Sequence, residues 1–201
     1  MGKKNARVEI FLSPLFVYGG NMKSALYTMR NTDYYNYLQQ YDKKIPYISS
    51  DKERHPFVGI VLQINGYSYY APFTSPKPKH YSMNERIDFI KIKNGMFGAI
   101  NLNNMVPIHS QCVERINFKE LPDVTAEQSA YKKLCINQVH WCQSNIEAIM
   151  KKARKLYHLV TEGNNPGLAS RCCDFKLDER LYLEYCQNNG LLTDDLCMIQ
   201  Q

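Results

Sequence analysis

The 201-residue chain is predicted to fold as an α+β protein, with a small, strongly bent antiparallel sheet or partial barrel flanked by helices. Three observations favour this class. Short runs of β-branched and apolar residues follow one another between residues 57 and 118, with turn signals between them. One signal, Asn65-Gly66, is typical of a two-residue hairpin, because a type I′ turn needs positive φ at both positions. Two longer segments with helical spacing follow the last of these runs.

A short helix is predicted before the strands. Thr32 is expected to cap it. Tyr34, Leu38 and Tyr41 lie at helical spacing, and the helix should end at Tyr41. The predicted strands then cover residues 57–64, 67–71, 87–92, 97–102, 105–108 and 112–118. Asn94-Gly95 marks a second turn within this series.

Helices are predicted for the C-terminal part of the chain. Thr125-Ala126-Glu127-Gln128 has the capping-box pattern and opens a helix through about Cys142. Ser144 is expected to cap a second helix, which stops at Gly163 because glycine favours a helix end. The remaining predicted segments are a Gly/Pro/Asn linker at 164–170 and a short helix at 177–186.

One domain is expected at residues 22–187, with a leader at 1–21 and a weakly ordered tail at 188–201. The leader contains an apolar run that Pro14 interrupts and that is too short to span a bilayer. We interpret it as a segment outside the core, with Met22 as the alternative start. A short export signal is the competing interpretation.

The composition allows one hydrophobic core and favours a nucleic-acid partner. Hydrophobic residues make up 44% of the chain, which is enough for a core with an accessory layer. The net charge is +6 and there are 15 tyrosines, so cations are present for phosphates and rings for unpaired bases. The seven cysteines include no Cys-x-x-Cys pair, so we expect buried thiols in a reducing cytosol and no metal site.

The turn after the predicted hairpin carries the residues that point most directly to chemistry. Residues 71–80 contain two hydroxyls, two lysines and a histidine among three prolines. Each proline restricts its own φ and the residue before it, so these side chains are held at little entropic cost. The combination predicts a phosphate-bearing target, with an ordinary solvated turn as the alternative. The members are Thr74, Ser75, Lys77, Lys79 and His80.

Several ordered blocks resemble the ToxN/AbiQ toxins of type III toxin–antitoxin systems. Together they span roughly residues 22–187. They are Leu26-Tyr27-Thr28, Tyr34 with Tyr37-Leu38, residues 56–62, Asn65-Gly66, Tyr70-Ala71-Pro72-Phe73-Thr74-Ser75-Pro76-Lys77, residues 98–102 and 105–107, and Tyr131-Lys132-Lys133-Leu134. The resemblance implies a MazF/Kid-like fold and a cytoplasmic, metal-independent endoribonuclease without a cofactor. It also implies inhibition by a small repeat RNA folded as pseudoknots, assembly with that RNA into a closed ring, and a role in growth arrest and phage abortive infection.

The resemblance assigns roles to the turn. Ser75 and Thr74 match the family's active-site hydroxyl pair, and Ser75 is expected to hydrogen-bond the scissile phosphate rather than form a covalent intermediate. Lys77 is expected to stabilise the phosphorane charge. Lys79 and His80 extend the loop and should hold flanking phosphates. For Ser75, a turn serine bonded to local backbone is the alternative.

The residue before the first predicted strand departs from the family pattern. Family members often carry Lys or Arg there, whereas the chain reads Arg54-His55-Pro56. His55 is expected to act as an acid or base or to contact a phosphate, since histidine exchanges protons near neutral pH. Alternatively, Arg54 supplies the cation and the register of this loop is shifted by one residue.

Two tyrosines match family positions near the RNA groove. Tyr27 and Tyr34 are expected to stack on bases, an interaction worth roughly 1–3 kcal/mol per base. Burial of both rings in the core is the alternative.

The predicted reaction is attack by the 2′-OH of a cellular or phage RNA, which leaves a 2′,3′-cyclic phosphate and a 5′-hydroxyl. DNA lacks this hydroxyl and is not an expected substrate. A non-catalytic RNA-binding module on a small barrel is the competing function. A cysteine enzyme using Cys135 or Cys142 with His140 is a third, weaker hypothesis.

Overall fold

The computed structural model describes residues 25–30, 32–46, 59–163 and 165–191, which contain seven strands and six α-helices. The strands are β1 (Tyr27–Met29), β2 (Gly59–Ile64), β3 (Tyr67–Thr74), β4 (Phe89–Lys91), β5 (Ala99–Asn101), β6 (Val106–Pro107) and β7 (Val113–Arg115). The helices are α1 (Asp33–Tyr41), α2 (Lys79–Ser82), α3 (Ala126–Ser144), α4 (Ile146–Thr161), α5 (Pro166–Ala169) and α6 (Phe175–Asn188).

The strands form one antiparallel sheet in the order β4-β5-β3-β2-β1-β7, with β6 paired to β3. The longest strand, β3, changes partners along its length. Its first six residues pair with β2, and Phe73 and Thr74 pair with β5. The sheet curls strongly into a half-barrel with helices packed around it, so the predicted α+β class is confirmed.

The hairpin between β2 and β3 is confirmed. Asn65 and Gly66 have φ values of 49° and 81°, and Ile64 pairs directly with Tyr67. The strand predicted at 87–92 is shorter than expected. It ends at Lys91 because Ile92–Gly95 forms a turn of 3-10 helix, in which the backbone takes positive φ.

The predicted helices are present, but two of the predicted caps differ. Thr32 lies at the N-cap position of α1, and its side chain makes no capping hydrogen bond. Thr125 and Gln128 form the reciprocal capping box of α3. Ser144 was predicted to cap α4, but it is the last residue of α3, and its hydroxyl donates to the His140 carbonyl at 3.1 Å. Asn145 occupies the junction instead. The linker at 164–170 contains the short helix α5, because Asn165 caps it through the Leu168 amide. None of the described helices is long and apolar enough to cross a membrane.

Helix α6 packs on the sheet through buried aromatic rings and one buried carboxylate. Tyr69 on β3 and Tyr157 on α4 both donate to Oε1 of Glu179 on α6, at 2.8 and 2.7 Å. Lys176 contacts Oε2 of the same carboxylate at 3.1 Å. Phe175 stacks on Tyr157 with a centroid distance of 5.8 Å. The Glu179 carboxylate of α6 therefore joins the first half of β3 to α4.

Candidate active site

The predicted turn leaves the sheet at the C-terminal end of β3. Thr74 is the last residue of the strand and is half-buried, whereas Ser75 and Lys77 are exposed. Within the described residues the Ser75 hydroxyl makes no side-chain hydrogen bond, so it is available to a ligand. The amide of His80 donates to the Lys77 carbonyl at 2.9 Å, which closes the turn into α2. The Ser75 hydroxyl and the Lys77 ammonium group are thus both carried by the short exposed segment between β3 and α2.

Gly98 supports this turn from behind by backbone contact. It has a φ of 89° and lies so close to the turn that a Cβ would be 1.9 Å from the Thr74 carbonyl oxygen. The following residue, Ala99, pairs with Thr74 in the sheet. On the helical side, Gln138 donates to the Phe97 carbonyl at 2.8 Å and ties α3 to the same loop. Neither Gly98 nor Gln138 was predicted as part of the site. A glycine beside a turn can indicate a backbone with positive φ, so Gly98 could have been noticed from the sequence.

The loop after the turn is also held in place by hydrogen bonds from the Lys91 side chain. Lys91 Nζ donates to the carbonyls of Tyr81 and Met83 at 3.2 and 3.0 Å, which ties the end of α2 to β4. Glu85 accepts from the Lys91 amide and pairs with Lys152 of α4. These contacts hold the backbone beside the turn without using Lys77 or Lys79. Both of those lysines remain exposed.

His80 does not extend the exposed cationic surface. It is 1% exposed, its Nδ1 has no partner among the described residues, and its ring lies 5.7 Å from that of Phe89. Burial lowers the pKa of His80, and the nearby Lys77 and Lys79 lower it further. The structure contradicts the predicted phosphate contact, because His80 on α2 is buried and packs against Phe89 of β4 instead of facing RNA.

The two predicted stacking tyrosines differ in position. Tyr27 on β1 is half-buried, and its ring packs edge-to-face against Tyr70 at 5.5 Å. Tyr34 on α1 is fully buried, and its hydroxyl donates to the Pro107 carbonyl at 2.6 Å. The prediction for Tyr34 is corrected to the core alternative, because neither face of its ring is open to a base. The prediction for Tyr27 stays a prediction.

The predicted basic position lies outside the described residues. Arg54 and His55 belong to residues 47–58, and β2 begins after them at Gly59. Gly59 pairs with Pro72, two residues before Thr74. The described start of β2 therefore lies alongside the strand end that carries the turn.

The thiols of Cys135 and Cys142 do not form a nucleophilic site with His140. Cys135 and Cys142 are buried on α3, and burial raises the pKa of Cys142 to about 12. Burial likewise raises the pKa of Cys135. His140 points to solvent on the same helix. A thiolate nucleophile needs a lowered pKa and access to substrate, so the cysteine-enzyme hypothesis has no support in this geometry.

A family model described as Toxin ToxN, type III toxin–antitoxin system, matches residues 25–183, which include the turn. The chain belongs to the ToxN toxin family. Endoribonuclease ToxN of Pectobacterium atrosepticum is 32% identical over 163 residues, which cover 77% of this chain and 90% of that protein. Endoribonuclease ToxN of Bacillus thuringiensis subsp. kurstaki is 29% identical over 156 residues, covering 75% and 79% respectively.

Two solved structures share the ToxN fold with this chain. One comes from work on selective toxin inhibition by a non-coding RNA pseudoknot in bacterial type III systems; it has a TM-score of 0.67, 27% identity, and covers 81% of this chain and 98% of its own. The other comes from work on a processed non-coding RNA that regulates a bacterial antiviral system; it has a TM-score of 0.66, 29% identity, and covers 80% and 98%. Family membership thus agrees with the resemblance carried by the sequence blocks.

Proposed function

We propose that this ToxN family member is a sequence-specific, metal-independent endoribonuclease toxin that acts in the cytoplasm through a single domain at residues 22–187. Its substrate is a cellular or phage RNA. Its products are a 2′,3′-cyclic phosphate and a 5′-hydroxyl. The proposal rests chiefly on one observation: Ser75 and Lys77 are both exposed on the short segment after β3, in a chain whose relatives are named endoribonucleases.

Ser75 and Lys77 supply complementary parts of this reaction. The hydroxyl of Ser75 donates a hydrogen bond to a non-bridging oxygen of the scissile phosphate and fixes its position. Lys77 adds positive charge where the phosphorane becomes more negative than the ground state, and such differential stabilisation lowers the barrier. Thr74 is half-buried at the strand end and assists by holding the phosphate or the turn. The attacking oxygen belongs to the RNA itself, so no covalent enzyme intermediate is needed.

Proton transfer is assigned to the basic position before β2. The 2′-OH must lose a proton and the 5′-oxygen must gain one. His55 is the proposed acid or base, with Arg54 as the alternative cation. Four peptide units join His55 to Gly59, and Gly59 pairs with Pro72. Because this connection is short, His55 is within reach of the turn. Because His80 is buried, the cations proposed to contact RNA are Arg54, Lys77 and Lys79. Tyr27 is the ring proposed to stack on a base.

The proposed inhibitor is a small repeat RNA folded as pseudoknots. One solved ToxN-fold structure comes from work on inhibition by a non-coding RNA pseudoknot, and the other from work on RNA regulation of an antiviral system. The exposed lysines of the turn suit a polyanion of this kind. We propose a closed protein–RNA ring in which the antitoxin covers the turn, and release of the toxin as the cause of growth arrest and abortive infection.

The test compares wild type, Ser75→Ala and Ser82→Ala on total bacterial RNA in EDTA, with mapping of the new 5′ and 3′ ends. Ser82 is also exposed, on α2, and serves as a matched hydroxyl deletion outside the turn. Wild type and Ser82→Ala should give cyclic-phosphate ends at the same sites. Ser75→Ala should cut roughly 10²–10³-fold more slowly, the usual effect of removing one donor to a developing charge.

Two results would count against the proposal. Intact RNA with a folded wild type that still binds RNA would favour the non-catalytic binding module. Cleavage by Ser75→Ala at the wild-type rate would leave the activity in place but remove the turn from it.

A further inference from the structure

Three buried side chains from two distant parts of the chain meet between the end of α1 and the start of α6. They are Asp42, Cys173 and Asp178, with exposures of 4%, 0% and 0%. One carboxylate oxygen from each aspartate and the cysteine sulfur all lie within 4.8 Å of one another. No residue of this cluster belongs to the Ser75 turn, and none has a role in the proposed cleavage.

Asp178 is the anomalous member of the cluster. Both of its carboxylate oxygens are buried and have no hydrogen-bond partner among the described residues. The described ion pairs include none to Asp178, and the nearby Lys44 donates to the Ala169 carbonyl instead. A buried ionised carboxylate without a partner is strongly unfavourable. The position of Asp178 in the first turn of α6 favours a negative charge but supplies no partner to its oxygens.

The other two members are held in place and face Asp178. Asp42 accepts from the amides of Lys44 and Asp174 at 2.8 and 2.7 Å, one bond to each oxygen, so its orientation is fixed and each oxygen keeps a lone pair. The Cys173 amide donates to the Asn103 carbonyl at 2.9 Å, which anchors this cysteine. Without an ion, burial and the neighbouring Asp178 and Asp42 raise the pKa of the Cys173 thiol, and the Asn104 side chain offsets this only in part.

We propose that Asp42, Cys173 and Asp178 bind a structural divalent cation, for which zinc is the best match. A dication would neutralise the two carboxylates and would give both unpartnered oxygens of Asp178 a partner to share. The thiolate ligand favours zinc over magnesium or calcium, which prefer sets made only of oxygen. The ion would join the C-terminal end of α1 to the N-terminal start of α6, which lie far apart in the sequence. It contributes to folding, and the cleavage chemistry stays metal-independent.

The first measurement is the metal content of the untagged full chain, purified without chelator, by mass spectrometry. Stoichiometric zinc is expected. When cobalt replaces it, a cobalt–thiolate charge-transfer band should appear. The band should be lost in Cys173→Ser and kept in Cys172→Ser, because Cys172 is an equally buried neighbour outside the cluster. Removal of zinc should lower Tm by about 5–10 °C relative to protein with free zinc a hundredfold above its Kd.

Asp178→Asn separates the proposal from its competitor, a proton on Asp178. Without an ion, burial and the neighbouring Asp42 raise the pKa of Asp178 to about 8, so a neutral acid is the competing state. Asparagine mimics that neutral acid but is a poor zinc ligand. If an ion is bound, Asp178→Asn should lose both the metal and the chelator-sensitive part of Tm. The proposal would be overturned if the wild type holds no metal, its Tm does not respond to zinc or chelator, and the Tm of Asp178→Asn equals or exceeds that of the wild type.

Metal content and RNA cleavage are measured separately, so the two proposals fail independently. The cleavage assay in EDTA is paired with a melting curve of the same sample. Loss of cleavage together with a lowered Tm would reflect loss of the structural ion. Loss of cleavage with an unchanged Tm would count against the proposed chemistry alone.

Discussion

At the scale of single residues, exposure separates the members of the predicted turn. Ser75, Lys77 and Lys79 are exposed, whereas His80 is buried one residue further on. A sequence of alternating prolines and lysines predicts a stiff cationic loop, because those effects are local. The direction of His80 depends on how the single turn of α2 docks on the strands, which sequence spacing does not contain.

The two exposed lysines should affect different steps. Lys77→Gln should slow single-turnover cleavage at saturating RNA by roughly 10²-fold, because its charge is used on the phosphorane. Lys79→Gln should instead weaken binding and reduce the slope of log Kd against log salt by about 0.7, the contribution of one phosphate contact on a single strand. Lys133→Gln, an exposed lysine on α3, is the control and should change neither value. Equal losses of rate and affinity in both turn variants would refute this division of roles.

His80 should make the fold sensitive to mild acid. Its pKa is lowered in the folded state from the ordinary 6.5, so the unfolded chain binds a proton that the folded chain resists. The free energy of unfolding should therefore be highest above pH 6.5 and fall as the pH drops through this value toward the lowered pKa. Urea unfolding of His80→Phe should show a weaker pH dependence than wild type in this window. His140→Gln, which removes an exposed histidine, should behave as wild type; a wild-type slope in His80→Phe would contradict the prediction.

At the scale of elements, the sequence predicts best where structure depends on neighbouring residues. The Asn65-Gly66 turn and the Thr125 capping box were both predicted correctly, since each is a contact within four residues. Strand ends were predicted less well: β4 stops at Lys91 because the turn that includes Asn94-Gly95 already begins at Ile92. The support of the turn by Gly98 was not predicted, since it depends on contact between the ends of β3 and β5.

Gly98→Ala should therefore disrupt the turn as well as the fold. The new Cβ would lie 1.9 Å from the Thr74 carbonyl, so the end of β3 must move. Gly66→Ala is the matched control: it also has positive φ, at 81°, but its Cβ would meet nothing within 4 Å. We expect Gly66→Ala to lose about 1–3 kcal/mol of stability from backbone strain and to keep full cleavage by the folded fraction. Gly98→Ala should be less stable than this and should cleave poorly even where circular dichroism shows it folded. Normal cleavage by folded Gly98→Ala would exclude a positioning role.

At the scale of the whole molecule, contacts between residues far apart in the sequence decide which polar side chains become buried. Tyr34 becomes a core residue because its hydroxyl reaches Pro107, 73 positions away. The same applies to Asp42 and Cys173, whose proximity no spacing rule predicts. Fold class, family and the turn were predictable from periodicity and ordered blocks. Burial of particular polar side chains was not, because it depends on how α1 and α6 pack on the completed sheet.

Glu179 offers the clearest test of this long-range packing. Its Oε1 accepts from Tyr69 on β3 and Tyr157 on α4, so one carboxylate joins the sheet to two helices. Glu179→Ala leaves both hydroxyls buried without their acceptor and should lower the free energy of unfolding by roughly 3–5 kcal/mol. Glu179→Gln keeps an acceptor of the same shape and should lose much less. Glu184→Ala, an exposed glutamate on the same helix, controls for removal of an acidic side chain. Urea unfolding measures all three, and equal losses in Glu179→Ala and Glu184→Ala would show that the two tyrosine bonds do not hold α6 to the sheet.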